Sequence, residues 1–184
     1  MTNDINTQLL TALNRQQQLL EMILSSLDKP KLGLHNDAGI CKIYCNRHNG
    51  CNWYTLTNGE PTPVQATALT GYLKAIKFEA TERRGKPVHK LLTTIAADRL
   101  YILESGHDSH FSKGLLAAIA QLRPQDLLQP VTIQPSPGDE DSVLFCRVWL
   151  GVEQVRAQYN EETDWREVAK QAIAVVRALE IPTE

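Results

Sequence analysis

The order of predicted elements between Gly71 and Gly151 constrains the fold of this 184-residue chain most. Alternation of apolar and polar residues predicts strands at Leu69 to Glu82, Val88 to Ala96 and Arg99 to Glu104. The alternation in the first strand slips near Ala75-Ile76, which predicts a β-bulge that bends the strand. A helix and two further strands complete the run. A helix between the third and fourth of five strands leaves few sheet topologies open to the chain.

The helix and the last two strands follow the same spacing rules. Apolar residues at helical spacing predict a helix from Phe111 to Leu122, with Asp108 or Ser109 available as its N-cap. The fourth strand is predicted at Pro130 to Gln134 and the fifth at Val143 to Val155. The last two strands therefore follow the helix closely, separated from each other by an acidic turn.

Helices are predicted at both ends of the chain. Residues 4–27 carry leucine and isoleucine at heptad-like spacing, and Asp28-Lys29-Pro30 ends the helix. A helix of this length is not stable alone, so it packs either in a homo-oligomer or on its own domain, and both alternatives stay open. A last helix is predicted from Asp164, which forms a capping-box pair with Glu167.

A β-hairpin is predicted before the five strands. Its strands are Ile40 to Asn46 and Cys51 to Leu56, and Asn49-Gly50 is favoured in a two-residue turn because both positions need positive φ. A proline-containing loop from Asn58 to Pro63 follows. The predicted organisation is an N-terminal helix at 1–30, for which oligomerisation is one of the two alternatives, a linker at 31–39, the hairpin and five strands at 40–160, and a C-terminal helix at 161–184.

Composition is that of a globular protein with unevenly placed charge. Hydrophobic residues make up 42% and charged residues 22%, with a net charge of −2. From Ile40 to Leu100 nine Lys or Arg face four Asp or Glu, whereas from Pro124 to Glu184 five face eleven. The asymmetry predicts an electropositive patch in the first of these segments, with solvated charge in both as the alternative.

The chain carries no signal for secretion or for membrane insertion. Met1 to Asn6 is polar, and no apolar run approaches the roughly 20 residues that a membrane span needs. Four cysteines without a signal peptide are typical of reduced thiols or metal ligands. We therefore expect a cytoplasmic protein without membrane contact.

Basic and aromatic residues gather on the first and fifth strands and on one turn. The fifth strand places Phe145, Arg147 and Trp149 on one face, a set suited to stacking on bases, provided that the C-terminal helix does not cover it. The first two of the five strands and the turn between them add cations that would neutralise phosphates. The predicted nucleic-acid-binding residues are Tyr72, Lys74, Lys77, Arg83, Arg84, Lys86, Lys90, Arg147 and Trp149.

Two further clusters have reactive residue types. Cys41, Cys45, His48 and Cys51 have the chemistry of a zinc site, but four ligands so close in sequence leave little chain to wrap the ion, so strand cysteines and a turn histidine are the default. His107-Asp108-Ser109-His110 holds the residue types of a hydrolase triad, whose members normally come from separate segments. We therefore expect no enzyme, no cofactor and no metal site.

The segment from Leu69 to Gly106 resembles OB-fold single-stranded-DNA-binding proteins of bacterial or phage type, on residues Gly71-Tyr72-Leu73-Lys74, Glu82-Arg83-Arg84-Gly85-Lys86 and Tyr101-Ile102-Leu103-Glu104. The helix and fifth strand extend the resemblance. It implies an α+β fold, an OB-like five-stranded barrel flanked by N- and C-terminal helices and an extra β-hairpin. It also implies non-catalytic binding of single-stranded nucleic acid. A C-terminal helix followed by Ile181-Pro182 replaces the acidic tip of such proteins, which favours a dedicated accessory or regulatory module.

A different class of function stays open beside this one. The N-terminal helix would assemble an oligomer, and the barrel and C-terminal helix would bind a protein partner, which makes the chain an interaction adaptor. Binding to nucleic acid weakens steeply with salt, whereas an apolar protein interface does not, so salt dependence separates the two classes.

Overall fold

A computed structural model of the chain describes residues 10–11, 13–21, 39–83 and 85–179. The chain divides into two compact units, Met1–Asp37 and Ala38–Glu184. In the first unit, residues 10–11 and 13–21 are helical and form α1, in agreement with the helix predicted over residues 4–27. The remainder of that predicted helix, and the predicted linker up to residue 38, lie outside the described residues.

The second unit is α+β, as the sequence predicts, and contains one open, mixed sheet of nine strands. The helices are α2 (His110–Ala120), α3 (Trp165–Arg177) and a 3-10 turn (Pro124–Leu128). The strands are β1 (Ile40–Tyr44), β2 (Tyr54–Thr57), β3 (Glu60–Pro63), β4 (Leu69–Arg83), β5 (Lys86–Ala96), β6 (Leu100–Gly106), β7 (Val131–Pro137), β8 (Leu144–Leu150) and β9 (Glu153–Val155). None of the described helices is long and apolar enough to cross a membrane.

Strand order decides how far the predicted barrel is realised. The sheet runs β3-β2-β1-β6-β5-β4-β7-β8-β9, and every neighbouring pair is antiparallel except β1 and β6. Strands β4, β5, β6, β7 and β8 are the five predicted ones, with α2 between the third and the fourth. The outer edge of β6 is occupied by β1, with Ile40 opposite Leu100. The sheet is therefore open, and a closed five-stranded barrel is not confirmed.

Side-chain contacts connect strands that are far apart in the order of the sheet. Arg47, which follows β1, donates from Nη1 to the carbonyl oxygens of Gly138 (3.3 Å) and Glu140 (2.7 Å) in the turn between β7 and β8. Its Nη2 lies 3.1 Å from the carboxylate of Asp141. The sheet therefore curls until its β1 side meets the β7–β8 turn, although no strand pairing joins them.

Helix α2 fills the inside of the curl. Phe111, Leu115 and Ile119 are fully buried at the spacing that the sequence predicts. The helix begins at the predicted N-cap Ser109, whose hydroxyl oxygen accepts a hydrogen bond from the Ser112 backbone N–H. A Cβ placed on Gly114 would lie 2.9 Å from the carbonyl oxygen of Cys146, so glycine is what allows α2 to approach β8 this closely.

Helix α3 packs beside α2 and against β4. The carboxylate of Asp164 caps it by accepting hydrogen bonds from the backbone N–H groups of Arg166 and Glu167, so the predicted start of the helix is confirmed. Ala172 and Val176 are buried on the face that the sequence predicts to be apolar. The helix therefore completes the core on the same side of the sheet as α2.

The turn chemistry of the first hairpin is confirmed, whereas the loop after it was predicted wrongly. Asn49 and Gly50 have φ of 46° and 81°, as a two-residue turn of this kind requires. Residues 58–63 are not a loop, because Asn58 and Gly59 form a second positive-φ turn and β3 returns along β2. Its two prolines are tolerated because β3 is at the edge of the sheet.

The long strands differ from prediction in one place and agree in another. The register between β4 and β5 shifts between Leu73 and Ala75, which confirms the predicted bulge one residue earlier than the pattern placed it. The single strand predicted from Val143 to Val155 is wrong. Gly151, with φ of 56°, turns the chain back so that β9 pairs with β8 as a short hairpin.

Replacement of Arg47 by alanine should destabilise the protein. The guanidinium satisfies two backbone carbonyl groups, and their loss should cost about 1–3 kcal/mol of unfolding free energy. Asp141→Asn is the matched control, because that carboxylate is fully exposed and its ion pair with Arg47 should contribute much less to stability than the two hydrogen bonds to backbone carbonyls. Urea unfolding followed by circular dichroism measures both, and equal stability of the two variants would contradict a bridging role for Arg47.

Replacement of Gly114 by alanine should also destabilise the protein, although alanine favours a helix by about 1 kcal/mol over glycine. The new methyl group would meet the Cys146 backbone, and the shift of α2 should cost about 1–3 kcal/mol. The thermal midpoint measures the balance of the two effects. A raised midpoint would show that α2 has room to move and that helix propensity dominates.

Candidate nucleic-acid interface

One side of the sheet carries α2 and α3, and the other carries most of the predicted binding residues. Along β5, Leu91, Thr93 and Ile95 are buried against the helices, so the residues between them point the other way. Strand pairing extends this alternation across the sheet. We call the side away from the helices the open face; its charged and aromatic members include Lys42, Tyr44, Tyr54, Tyr72, Lys77, Glu79, Lys90, Glu104, Arg147 and Trp149, with Lys74 beside Tyr72 at the bulge.

The β4–β5 part of the open face holds four of the predicted residues. Tyr72 is 46% exposed, and the Nζ atom of Lys74 lies 5.7 Å from the centre of its ring in a cation–π contact. Lys74 is at the bulge, so it has no partner residue in β5. Lys77 is exposed on β4, and Lys90 is half-buried on β5 opposite Glu79.

The β8 part of the open face is accessible, which answers the question that the sequence left open. Arg147 is exposed, and α3 packs on the opposite side of the sheet. Trp149 is half-buried, and its indole N–H donates to the side-chain oxygen of Gln134 over 3.2 Å. Trp149 pairs with Thr132, which pairs in turn with Thr70, two residues before Tyr72. Arg147 and Trp149 therefore share a face with Tyr72.

Sequence reasoning missed the part of the open face that β1 and β2 supply. Tyr44 and Tyr54 are cross-strand partners whose rings stack with centres 5.3 Å apart and planes inclined by 15°. The Nζ atom of Lys42 lies 5.5 Å from the Tyr44 ring centre. The alternation of Lys42 and Tyr44 with Cys41, Ile43 and Cys45 was the available signal. The sequence prediction places this hairpin outside the five strands, so the predicted binding residues do not include it.

Glu104 lies among these cations on β6. Its Oε2 atom is 2.6 Å from Nζ of Lys42, and its Oε1 atom is 3.6 Å from Nζ of Lys90. The hydrogen bond to Glu104 raises the pKa of Lys42 above its ordinary value. Lys90 is thus partly neutralised. Lys77 and Arg147, in contrast, have no carboxylate partner among the described residues.

The basic turn between β4 and β5 is described only in its backbone. Arg83 pairs with Lys86 across the turn, and Gly85 has φ of 74°. Arg84 lies outside the described residues, as do the side chains of Arg83 and Lys86. The backbone therefore places Arg83 and Lys86 at the end of the same hairpin that carries Lys77 and Lys90.

The two reactive clusters are engaged in local structure. Cys45 is buried, which raises the pKa of its thiol well above the ordinary value, and the thiol of Cys51 donates to the carbonyl oxygen of His48 over 2.7 Å. No group of three or more His, Cys, Asp or Glu side chains in the described ranges is placed to hold a metal ion. Asp108 accepts from Lys113, which lowers the pKa of that carboxyl group.

The comparisons with known proteins leave the chain without a family. No protein-family model, no curated protein and no solved structure matches it. The function of the chain is therefore inferred from the chemistry of its open face.

Proposed function

We propose that the protein binds single-stranded nucleic acid, without catalysis, through the open face. The observation that carries the proposal is the accessible face of β4 and β8, the strands on either side of β7. It holds two aromatic rings and two cations without a carboxylate partner among the described residues: Tyr72, Trp149, Lys77 and Arg147. Aromatic rings stack on bases of any sequence, and cations contact the phosphates between them. A surface that offers both suits an unpaired strand better than a duplex, whose bases are already stacked.

The wiring of the sheet supports an OB-like character for the five central strands. Strand β4 pairs with both β5 and β7, and α2 connects β6 to β7 inside the curl. OB-folds are partly open Greek-key barrels that bind oligonucleotides on strands two and three and on two loops. The corresponding parts here are β5, β6, the basic β4–β5 turn and the β7–β8 turn.

Each predicted residue has a defined role in this proposal. Lys74, Lys77 and Arg147 contact phosphates, and Tyr72 and Trp149 stack on bases. Lys90 contributes less charge, because it shares the carboxylate of Glu104 with Lys42. The predicted cations Arg83, Arg84 and Lys86 are proposed as further phosphate contacts.

Fluorescence anisotropy of labelled oligo-dT, oligo-U and a duplex, at low and moderate salt, tests the proposal. Lys77→Ala and Arg147→Ala should each weaken single-strand binding and each reduce the slope of log affinity against log salt by about 0.7. Arg177→Ala, an exposed arginine on α3, is the matched control and should change neither quantity. Binding by none of the three ligands at low salt would overturn the proposal.

Self-association through α1 is proposed as a second property. Leu13 and Leu20 are one heptad apart and are 54% and 61% exposed. Leucine side chains at this spacing favour a helical bundle between copies of the chain. The same leucines would support the alternative function, an oligomeric adaptor that binds a protein partner, for which binding would be insensitive to salt.

Leu13→Glu combined with Leu20→Glu should therefore lower the molar mass measured by light scattering after size exclusion. Charged residues in an apolar helical seam prevent the helices from packing. The exposed polar residues Asn14 and Gln18, which lie off the leucine seam, form the matched control when both are changed to glutamate, and this change should leave the mass unchanged. A wild-type protein that is monomeric at all concentrations would exclude self-association.

A further inference from the structure

The open face contains a cleft that the binding residues described so far do not explain. It has a volume of about 520 Å³ and lies where β1, β6, β5 and β4 run side by side. Ligand pockets of roughly 300–1,000 Å³ accept small organic molecules, so a nucleobase fits a space of this size. Its polar and aromatic lining includes Tyr44, Asn46, Tyr54, Lys90 and two acidic residues, Glu82 and Glu104.

The position of Glu104 is unexpected for a surface that only attracts phosphate. Its side chain is 14% exposed and lies between two lysines in the middle of the open face. A carboxylate there neutralises cations that would otherwise contact the backbone of a nucleic acid, and it repels phosphate directly. An ionised carboxylate only accepts hydrogen bonds. Its two oxygens have enough lone pairs to accept further hydrogen bonds beside those from the two lysines.

We propose that the cleft holds one unstacked nucleobase and that Glu104 accepts a hydrogen bond from the exocyclic amine of that base. The inference rests on the proposed function and adds that the nucleic-acid site prefers some nucleobases over others. Cytosine offers an amine donor beside two acceptors, which complement the carboxylate of Glu104 and the donors of Lys90 and Asn46. Uracil and thymine place a carbonyl oxygen at the position of the amine, where it faces the carboxylate. The site therefore prefers bases that carry an amine.

The walls of the cleft suit a flat ring. The stacked Tyr44 and Tyr54 form one side, and Thr81 and Val88 of the β4–β5 hairpin form the other. The Tyr44 ring is held between Lys42 and Tyr54, so the aromatic side exists before any ligand arrives. Bases of single strands are recognised in this manner, by aromatic contact and by hydrogen bonds to their Watson–Crick edges.

Oligo-dC and oligo-dU of equal length test the proposal, because cytosine has an amine at position 4 and an acceptor at N3, whereas uracil has a carbonyl oxygen and an N–H donor at these positions. Anisotropy at neutral pH should show oligo-dC bound about tenfold more tightly than oligo-dU by the wild-type protein. Glu104→Gln should reduce the ratio to less than about twofold, chiefly by strengthening the binding of oligo-dU, since Lys42 and Lys90 are then uncompensated. Lys77→Ala should weaken both ligands equally and leave the ratio unchanged.

A modified ligand keeps the test independent of how the variant folds. An oligonucleotide of N4,N4-dimethylcytosine lacks the amine donors, and the wild-type protein should bind it as weakly as oligo-dU. Equal affinity for oligo-dC and oligo-dU, or a preference that persists in Glu104→Gln, would overturn the base-specific site while leaving single-strand binding in place. Absence of binding to every oligonucleotide at low salt would instead overturn the proposed function, and the base-specific site with it.

Discussion

The packing of α2 into the curl of the sheet is the constraint on which the rest of the structure depends. Phe111, Leu115 and Ile119 are fully buried there, and the close approach of Gly114 to the Cys146 backbone sets the distance between helix and strand. Because α2 and α3 occupy the same side, the strands have one buried and one accessible side. The packing of the apolar residues of these two helices therefore decides which side chains of the strands are on the open face.

The addition of β1 to the outer edge of β6 has two consequences. It pairs with the backbone N–H and C=O groups at the edge of β6. Without β1 these groups would be exposed, or they would be free to pair with another strand and close the barrel. It also brings Lys42, Tyr44 and, through β2, Tyr54 onto the same side as Lys77 and Tyr72. From β1 to β4 the open face spans three strand spacings, roughly 14 Å. The hairpin that the sequence places outside the five strands thus widens the open face.

Local rules made much of the fold predictable, and nonlocal pairing accounts for most of what was not. Asn49-Gly50, Ser109 and Asp164 act within a few residues, so the turn and both helix starts follow from the sequence. The parallel pairing of Ile40 with Leu100 joins distant segments, and periodicity holds no information about it. The prolines of β3 obscured a strand because the sequence does not show which strands are at an edge. For the same reason the cations of β4 and β5 were predictable as a basic surface, but the neutralising position of Glu104 was not.

Affinity and base preference would depend on different parts of this surface and respond differently to salt. Lys77 and Arg147 are exposed, so ions screen their attraction to phosphate, and affinity through them falls as salt rises. Glu104 is mostly removed from solvent, and a contact between its carboxylate and a base amine is screened far less. The preference for amine-bearing bases should therefore persist at salt concentrations where binding as a whole has weakened. A neutralising carboxylate within a cationic face would lower the affinity for every strand through charge, and the proposed recognition of particular bases would compensate for that loss.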